Sequence, residues 1–460
     1  MPSHDFSSLA LKKALADNLK TLGFDAMTDI QAKSLPLILE GKDLIAQGKT
    51  GSGKTAAFGL GLLHHLDVKK FRIQSLVLCP TRELADQVAK EIRNLARGIH
   101  NIKVLTLCGG VPVGPQIGSL EHGAHIIVGT PGRIEDHLSK GRLDLQHLNT
   151  LVLDEADRML EMGFMDALDA IVHHCPDSRQ TLLFSATFPE QINKISASIL
   201  KNPQHVKVTS IHQESAIAQS FYHVNDEAHR QDALHRLLLS FAPTSTIVFC
   251  NTKRAVQAVN DKLLAAGFSS LALHGDLDQR ERNEVLVKFT NNSSLILVAT
   301  DVAARGLDID ELDAVINFDI TPDPEVHVHR IGRTGRAGAN GIACSIFTDQ
   351  DYGRLGRIES YQNMVVEPQQ VPEQSILSQQ PLKPKMTTLQ IDGGKKQKVR
   401  PGDIVGALTG NNGINGTQIG KIHVFDMKAY VAVESKVVKT ALRKVSEGKL
   451  KGKNFRIRAI

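Results

Sequence analysis

Two short runs in this chain carry residue types that handle phosphoanhydrides. The first is Gly48-Lys49-Thr50-Gly51-Ser52-Gly53-Lys54-Thr55. It has the spacing of a phosphate-binding loop. Gly51 and Gly53 let backbone N–H groups wrap an oligophosphate, Lys54 places its charge on the β/γ-phosphates, and the Thr55 hydroxyl coordinates Mg²⁺. The second run is Asp154-Glu155-Ala156-Asp157, which follows the apolar Leu151-Val152-Leu153. Its carboxylates therefore fall at the carboxyl end of an expected buried strand, where α/β sheets bind ligands. Asp154 is expected to hold Mg²⁺, partly through water, and Glu155 to polarise the attacking water. The pair predicts binding and hydrolysis of a nucleoside triphosphate.

A third run, His329-Arg330-Ile331-Gly332-Arg333-Thr334-Gly335-Arg336, spaces three arginines with small residues. Arg333 and Arg336 are candidates for neutralising charge on a departing γ-phosphate. They fall in a second run of strands and helices, so hydrolysis would require two domains to close.

The elements that must position these residues are legible as alternation. Leu76–Leu78, Ile126–Val128, Leu151–Leu153 and Leu182–Phe184 read as strands in the first part, and Ile247–Phe249, Leu271–Leu273, Ile296–Val298 and Val315–Ile316 in the second. A further strand should end near Ala46, and the phosphate loop should open a helix running toward Leu66. Continuous apolar strands separated by amphipathic stretches predict parallel sheets covered on both faces. The pattern breaks near 208–218, and again over 366–384, which is rich in Pro and Gln and reads as a linker. The last segment has a different rhythm. Strands at Thr388–Ile391, Ile422–Phe425, Tyr430–Val433 and Phe455–Ile457, with helices at Asp403–Leu408 and around Val437–Val445, give the order βαββαβ. The expected boundaries are 1–209, 216–366, a linker 367–384, and 385–460.

Charge divides the same way. Residues 381–460 hold 13 Lys and 4 Arg against 5 acidic residues, a surplus of +12, so the first 380 residues carry −7 of the total +5. A basic module on an acidic body suggests a polyanion anchor; a merely solvated surface is the plain alternative. The five cysteines form no CxxC pair, which argues for reduced thiols rather than a metal site or disulfide framework. The N-terminus lacks the pattern of a signal peptide, and no apolar run approaches the roughly 20 residues that span a bilayer. The expectation is a cytoplasmic protein with no membrane partner.

With these residues in place, the chain to about residue 365 resembles the DEAD-box RNA helicases. Phe6, Gly23-Phe24, Thr28 and Gln31 resemble the adenine-binding motif, in which Gln31 reads the base edge and Phe24 packs on the ring. A glutamine amide offers the donor and acceptor that adenine requires. Pro80-Thr81-Arg82, Gly109-Gly110 and Thr130-Pro131-Gly132-Arg133 resemble the RNA-backbone turns of the first domain. Ser185-Ala186-Thr187 resembles the motif that couples ATP state to domain closure. In the second domain the resemblance assigns Gln279, Arg282, Thr300 and Asp301 to RNA, Asp308 to the ribose, and His329 to linking the two sites. Met27, Asp29, Lys49 and His327 depart from the family's usual residues, but none is a catalytic group. The implied fold is α/β: two tandem RecA-like domains followed by a small RNA-recognition-motif-like α+β domain. The implied cofactors are ATP and Mg²⁺.

Residues 385–460 resemble the RNA-binding domain of one bacterial branch of that family, at Ile391–Lys396, Arg400–Asp403, Gly406–Gly410 and Ile419–Ile422. That resemblance implies an RNA-stimulated ATPase and helicase recruited to a 23S rRNA hairpin, the helix 92 region, during 50S subunit assembly, acting as a monomer. The residues themselves specify less. Lys395, Lys396, Lys398, Arg456 and Arg458 can hold phosphates, and Tyr430 is the one evident stacking candidate, or equally a packing residue; Lys436, Lys439, Arg443 and Lys444 offer another basic face. A general RNA helicase and an ATP-gated RNA clamp remain alternatives.

Overall fold

The computed structural model describes the chain except residues 1–3, 49–50, 188–189, 209–216, 305–311, 336–340, 411–412, 448–449 and 451, together with the side chains of 190–191 and 193–195. Lys49, Thr50, Asp308 and Arg336, all expected to face nucleotide, therefore lie outside the described residues. Compact units are formed by residues 1–212 and by most of the remainder, and each is taken by itself.

The first unit holds seven parallel strands: β1 (Leu44–Gln47), β2 (Ser75–Leu78), β3 (Val104–Leu107), β4 (Ile126–Gly129), β5 (Thr150–Asp154), β6 (Gln180–Ser185) and β7 (Gln204–Lys207). Their order is β3-β4-β2-β5-β6-β1-β7. Alternate residues feed two separate cores. Val77, Val128, Val152 and Leu182 pack on one face, while Leu76, Leu78, Ile127 and Leu153 pack on the other. That two-sided burial is why the strands read as continuous apolar runs rather than alternating ones.

The second unit contains a matching sheet of β8 (Ala218–His223), β9 (Thr246–Phe249), β10 (Ser270–Leu273), β11 (Ile296–Ala299), β12 (Ala314–Asn317), β13 (Ile342–Phe347) and β14 (Pro368–Gln369), in the order β10-β11-β9-β12-β13-β8-β14. β3, β7, β8 and β13 were not foreseen. Polar or small residues interrupt them, as in Gln204-His205-Val206-Lys207 on an edge and Ile342-Ala343-Cys344-Ser345 inside.

The segment expected as a linker is laid along this sheet. β14 pairs with β8, Arg236 donates to the Pro372 carbonyl, and Val371 and Ile376 pack on the domain core. Lys383 then donates to the Gly267 carbonyl at 2.9 Å. Its proline and glutamine content limits regular structure to β14 and a short helical turn at Gln374–Ser378 without removing these contacts.

The C-terminal module has antiparallel strands β15 (Met386–Ile391), β16 (Ile419–Val424), β17 (Ala429–Glu434) and β18 (Ile457–Ala459), ordered β16-β17-β15-β18. The helices Pro401–Thr409 and Val438–Glu447 cover one face and bury Leu389, Ile391, Val431 and Val433 with Ile404, Leu408, Ala441 and Val445. The order of elements is βαββαβ, although the last strand begins at Ile457 rather than Phe455. Among the described residues, no helix is long and apolar enough to cross a membrane.

Candidate nucleotide and RNA sites

Strand order sorts the first unit's motifs into two groups. β5, β6 and β1 are neighbours, and their carboxyl ends carry Asp154-Glu155, Ser185 and Gly48. The adjoining β2, β4 and β3 end at Pro80-Thr81-Arg82, Thr130-Pro131-Gly132-Arg133 and Gly109-Gly110. The carboxyl ends of one sheet thus carry the phosphate-loop and acidic motifs on one half and the three short turns on the other.

In the first group Gly51 and Gly53 have φ of +79° and +91°, in the left-handed region that glycine enters without steric cost. Gly53 caps the helix Lys54–His65, whose first turn aims N–H groups at the loop. Lys54 is buried, with Nζ donating to the Gly48 carbonyl at 2.9 Å. Ser52 and Thr55 are partly exposed in the same loop and turn. The Gly48 N–H donates to the Ser185 carbonyl, tying the loop to the end of β6.

Asp154 is buried at 3% exposure. Burial pushes its carboxyl up to about 7, against the opposing pull of Lys54, with Glu155 adding to the rise. A buried acid so short of positive charge is what a divalent cation would satisfy. With the Thr55 hydroxyl it forms a hard-oxygen donor set suited to Mg²⁺. Glu155 itself has φ +53°, which turns the chain sharply between β5 and the helix Ala156–Glu161.

Asp157 joins this group to β6. It accepts from the Thr187 N–H and hydroxyl, each at 2.9 Å, and Ser185 Oγ donates to the Thr187 carbonyl at 2.7 Å. Burial raises the Asp157 carboxyl, but the Thr187 bonds and the nearby Arg158 and Lys54 hold it below the ordinary range. Gln31 reaches the phosphate loop as well. Its Nε2 donates to the Gly53 carbonyl at 3.1 Å, while its Oε1 accepts from the Thr28 N–H in a capping box. Phe24 packs edge-on to Phe6 at 6.2 Å, holding this segment on the core.

In the second group, Thr81 caps the helix Arg82–Leu95, and Arg82 Nη1 is buried without a hydrogen-bond partner among the described residues. Such a donor suits a phosphate oxygen. The other two turns are fastened together: the Gly109 N–H donates to Thr130 Oγ1, and Arg133 donates to the Val111 carbonyl. Gly110 has φ +71° at the tip of its turn.

In the second unit one assigned residue has a strong partner within the domain. Asp301, expected on the RNA side, accepts from Arg330 through both carboxylate oxygens at 2.7 Å. Arg330 is 2% exposed and also reaches Asn251, Asn317 and the Asp319 carbonyl. Asp301 therefore ties Arg330 into the domain. Arg330, which the sequence reading quoted without a role, is the hub; its burial was invisible beside two arginines of identical appearance. Arg282 donates to the Ala303 carbonyl at 2.7 Å, joining the helix Gln279–Thr290 to the turn that Thr300 caps. Arg333 is partly exposed in the turn after the helix Pro324–Ile331 that carries His329.

In the C-terminal module Lys395, Lys396, Lys398, Arg456 and Arg458 are exposed. Tyr430 is not; at 3% exposure it cannot stack on a base in this arrangement, which corrects that assignment.

Comparison with known proteins agrees with this geometry. Residues 28–195 match the DEAD/DEAH box helicase model, 229–338 the helicase conserved C-terminal domain, and 388–459 the DbpA RNA binding domain. The ATP-dependent RNA helicase DbpA of Escherichia coli K12 is 52% identical over 456 residues, covering 99% of each chain. The chain belongs to the DEAD-box ATP-dependent RNA helicases. The CshA helicase of Geobacillus kaustophilus is 46% identical over 77% of this chain and 76% of its own. Saccharomyces cerevisiae Dbp5 bound to RNA and ADP BeF3 is similar in structure, with TM-score 0.72 and 31% identity over 80% of this chain and 96% of that one. A DEAD-box helicase binds ATP and RNA.

Proposed function

We propose that this RNA helicase opens short duplexes in large-subunit ribosomal RNA during 50S assembly, recruited by its C-terminal module to a 23S rRNA hairpin in the helix 92 region. The observation carrying this reading is the exposed basic cluster on a module matching the DbpA RNA binding domain. The domain limits in this reading are 1–209, 216–366 and 385–460, and the protein works as a cytoplasmic monomer.

The chain's own residues take these roles. Gln31 and Phe24 select adenine. The loop N–H groups and Lys54 hold the phosphates, with Thr55 and Asp154 as the Mg²⁺ holders; the bound ion would neutralise charge between the β- and γ-phosphates. Glu155 aligns the attacking water, and Arg333 and Arg336 meet charge on the departing phosphoryl group when the domains close. Ser185 and Thr187 relay nucleotide state through Asp157. Glu155→Gln should bind ATP normally and lose RNA-stimulated hydrolysis by at least ~100-fold; retained hydrolysis would remove Glu155 from the mechanism.

Recruitment is tested by ATPase rate on a panel of RNA fragments. The full chain is compared with one ending at Pro384, which keeps the strap on the second domain, and with the full-length Lys395→Gln/Lys396→Gln/Lys398→Gln variant. Strong stimulation by one ribosomal hairpin, lost in both, supports the assignment. Equal stimulation by every RNA would leave a general RNA helicase.

A further inference from the structure

The helices of the C-terminal module cover one face of its sheet, yet the other face is buried too. Thr388, Gln390, Tyr430 and Ala432 alternate with the core residues of β15 and β17, and all four are at most 3% exposed. Part of what covers this face, at Thr388, belongs to the second helicase domain. Asn291 Nδ2 donates to Thr388 Oγ1 at 3.1 Å, and Ser293 Oγ lies 2.7 Å from the same oxygen. Asn291 caps the C-terminal end of the helix Gln279–Thr290, the helix of Gln279 and Arg282. That helix packs against β15, and its Arg280 and Glu284 are near enough to act electrostatically on Tyr430 and Lys428. The strap from β14 to Lys383 delivers the module to this place with its own bonds.

We propose that the open sheet face is the surface that fixes the module to the second helicase domain, with Thr388 as its positioning residue, so that anchored RNA is offered to the core at one set distance. This rests on the reading that the module anchors RNA. A flexible tether supplies local concentration over a broad range of spans, whereas a fixed one selects a single span. Exposed cations outside the sheet face, with Lys395 and Lys396 at the turn before the helix Pro401–Thr409, then remain to hold the anchor.

The test uses the full-length protein and RNAs in which the anchoring hairpin is joined to a short duplex through single-stranded spacers of increasing length. The wild type should unwind fastest at one spacer length, with rates falling about 10-fold on either side. Thr388→Val keeps shape but removes the shared hydroxyl. It should flatten the profile to within about twofold while hairpin affinity stays unchanged, and Thr388→Ser should restore the peak. A Ser293→Cys/Thr388→Cys pair, placed where the two hydroxyl oxygens are 2.7 Å apart, should form a disulfide on oxidation. The locked enzyme should keep the wild-type profile. Loss of unwinding on locking, or an unaltered peak in Thr388→Val, would overturn the proposal. Hairpin-dependent unwinding with a flat wild-type profile would overturn the fixed placement alone. Equal rates with and without the hairpin would remove the anchoring role and this proposal with it.

Discussion

Asp157 and Arg330 are buried charges whose value lies in what they hold. Asp157 binds Thr187 twice and keeps the end of β6 beside Asp154. Arg330 gathers Asp301, Asn251, Asn317 and the Asp319 carbonyl, so one side chain joins the ends of β9, β11 and β12. Replacing it strands a carboxylate. Arg330→Ala should cost about 3–5 kcal/mol of second-domain stability, because the unpaired Asp301 keeps its desolvation cost. The double variant Arg330→Met/Asp301→Leu should recover part of that loss in urea unfolding; equal loss in both would show that the ion pair is not the source. His327 gives a pH signature in the same domain. Its ring is 1% exposed, lies against Phe221, and pairs through Nε2 with Gln219 Oε1. Burial, reinforced by Arg330, lowers its pKa to about 4. The folded state therefore resists protonation that the unfolded chain accepts from its ordinary value near 6.5. The stability is fully present above that value and is lost as pH falls toward 4, by about 2 kcal/mol at pH 5. His327→Phe should lose this pH dependence between pH 7.5 and 5, even if its stability at pH 7.5 is lower for want of the Gln219 bond. Residue types and order singled out the phosphate loop and the acidic run, because phosphate chemistry demands such residues. Burial separated Arg330 and Tyr430 from the roles their neighbours suggested, and burial is a property of the whole fold.

At the level of elements, the loop between β1 and its following helix shows how local geometry makes a site. Gly53 stands at φ +91°, and a Cβ there would lie 2.5 Å from Gln31 Nε2 and 3.0 Å from Thr28 Oγ1. The glycine therefore serves the loop conformation and also the approach of the segment that carries Thr28 and Gln31. Gly53→Ala should weaken ATP binding at least about 10-fold, since the left-handed conformation alone costs about 1–2 kcal/mol and the clash adds to it. The comparison is a fluorescent-nucleotide titration beside a thermal melt; unchanged affinity would mean that the loop accommodates a side chain. This position was legible in sequence because its glycine pattern follows a strand and opens a helix. The strands that escaped notice were those whose side chains do not repeat a plain apolar run. β7 is an edge strand with only Val206 buried, and β13 uses alanine, cysteine and serine where close packing favours small residues. Parallel order could not be read at all, because β1 lies beside β6 and β7 only through contacts distant in sequence.

The whole molecule divides charge between its parts, and this division has a measurable consequence. Residues 381–460 carry +12 while the preceding 380 carry −7. A cation that meets a phosphate releases a condensed counterion, so each contact steepens the fall of affinity with salt. Lys395, Lys396, Lys398 and Arg456 are exposed on the C-terminal module. Four such contacts on single-stranded RNA would contribute a slope of about −3 in log affinity against log salt. The full chain should show that extra steepness on an RNA carrying the hairpin, and the Lys395→Gln/Lys396→Gln/Lys398→Gln variant should lose most of it. The two should converge on an unstructured strand bound by the helicase domains alone. A slope that survives the three substitutions would move the anchor to the other basic face, at Lys436, Lys439, Arg443 and Lys444. Net charge could reveal the presence of an anchor, but its placement depends on which sheet face remains open. That face is closed here by Asn291, Ser293 and the Gln279–Thr290 helix, residues that no motif singles out. Composition marked 367–384 as a spacer for the same reason that it hid the docking. Proline and glutamine report a scarcity of long helices and strands, whereas the hold on this segment comes from a two-residue strand, a few carbonyls and the apolar contacts of Val371 and Ile376. A salt slope that falls while the optimal hairpin-to-duplex spacing stays fixed would therefore separate the charges that grip RNA from the contacts that aim it.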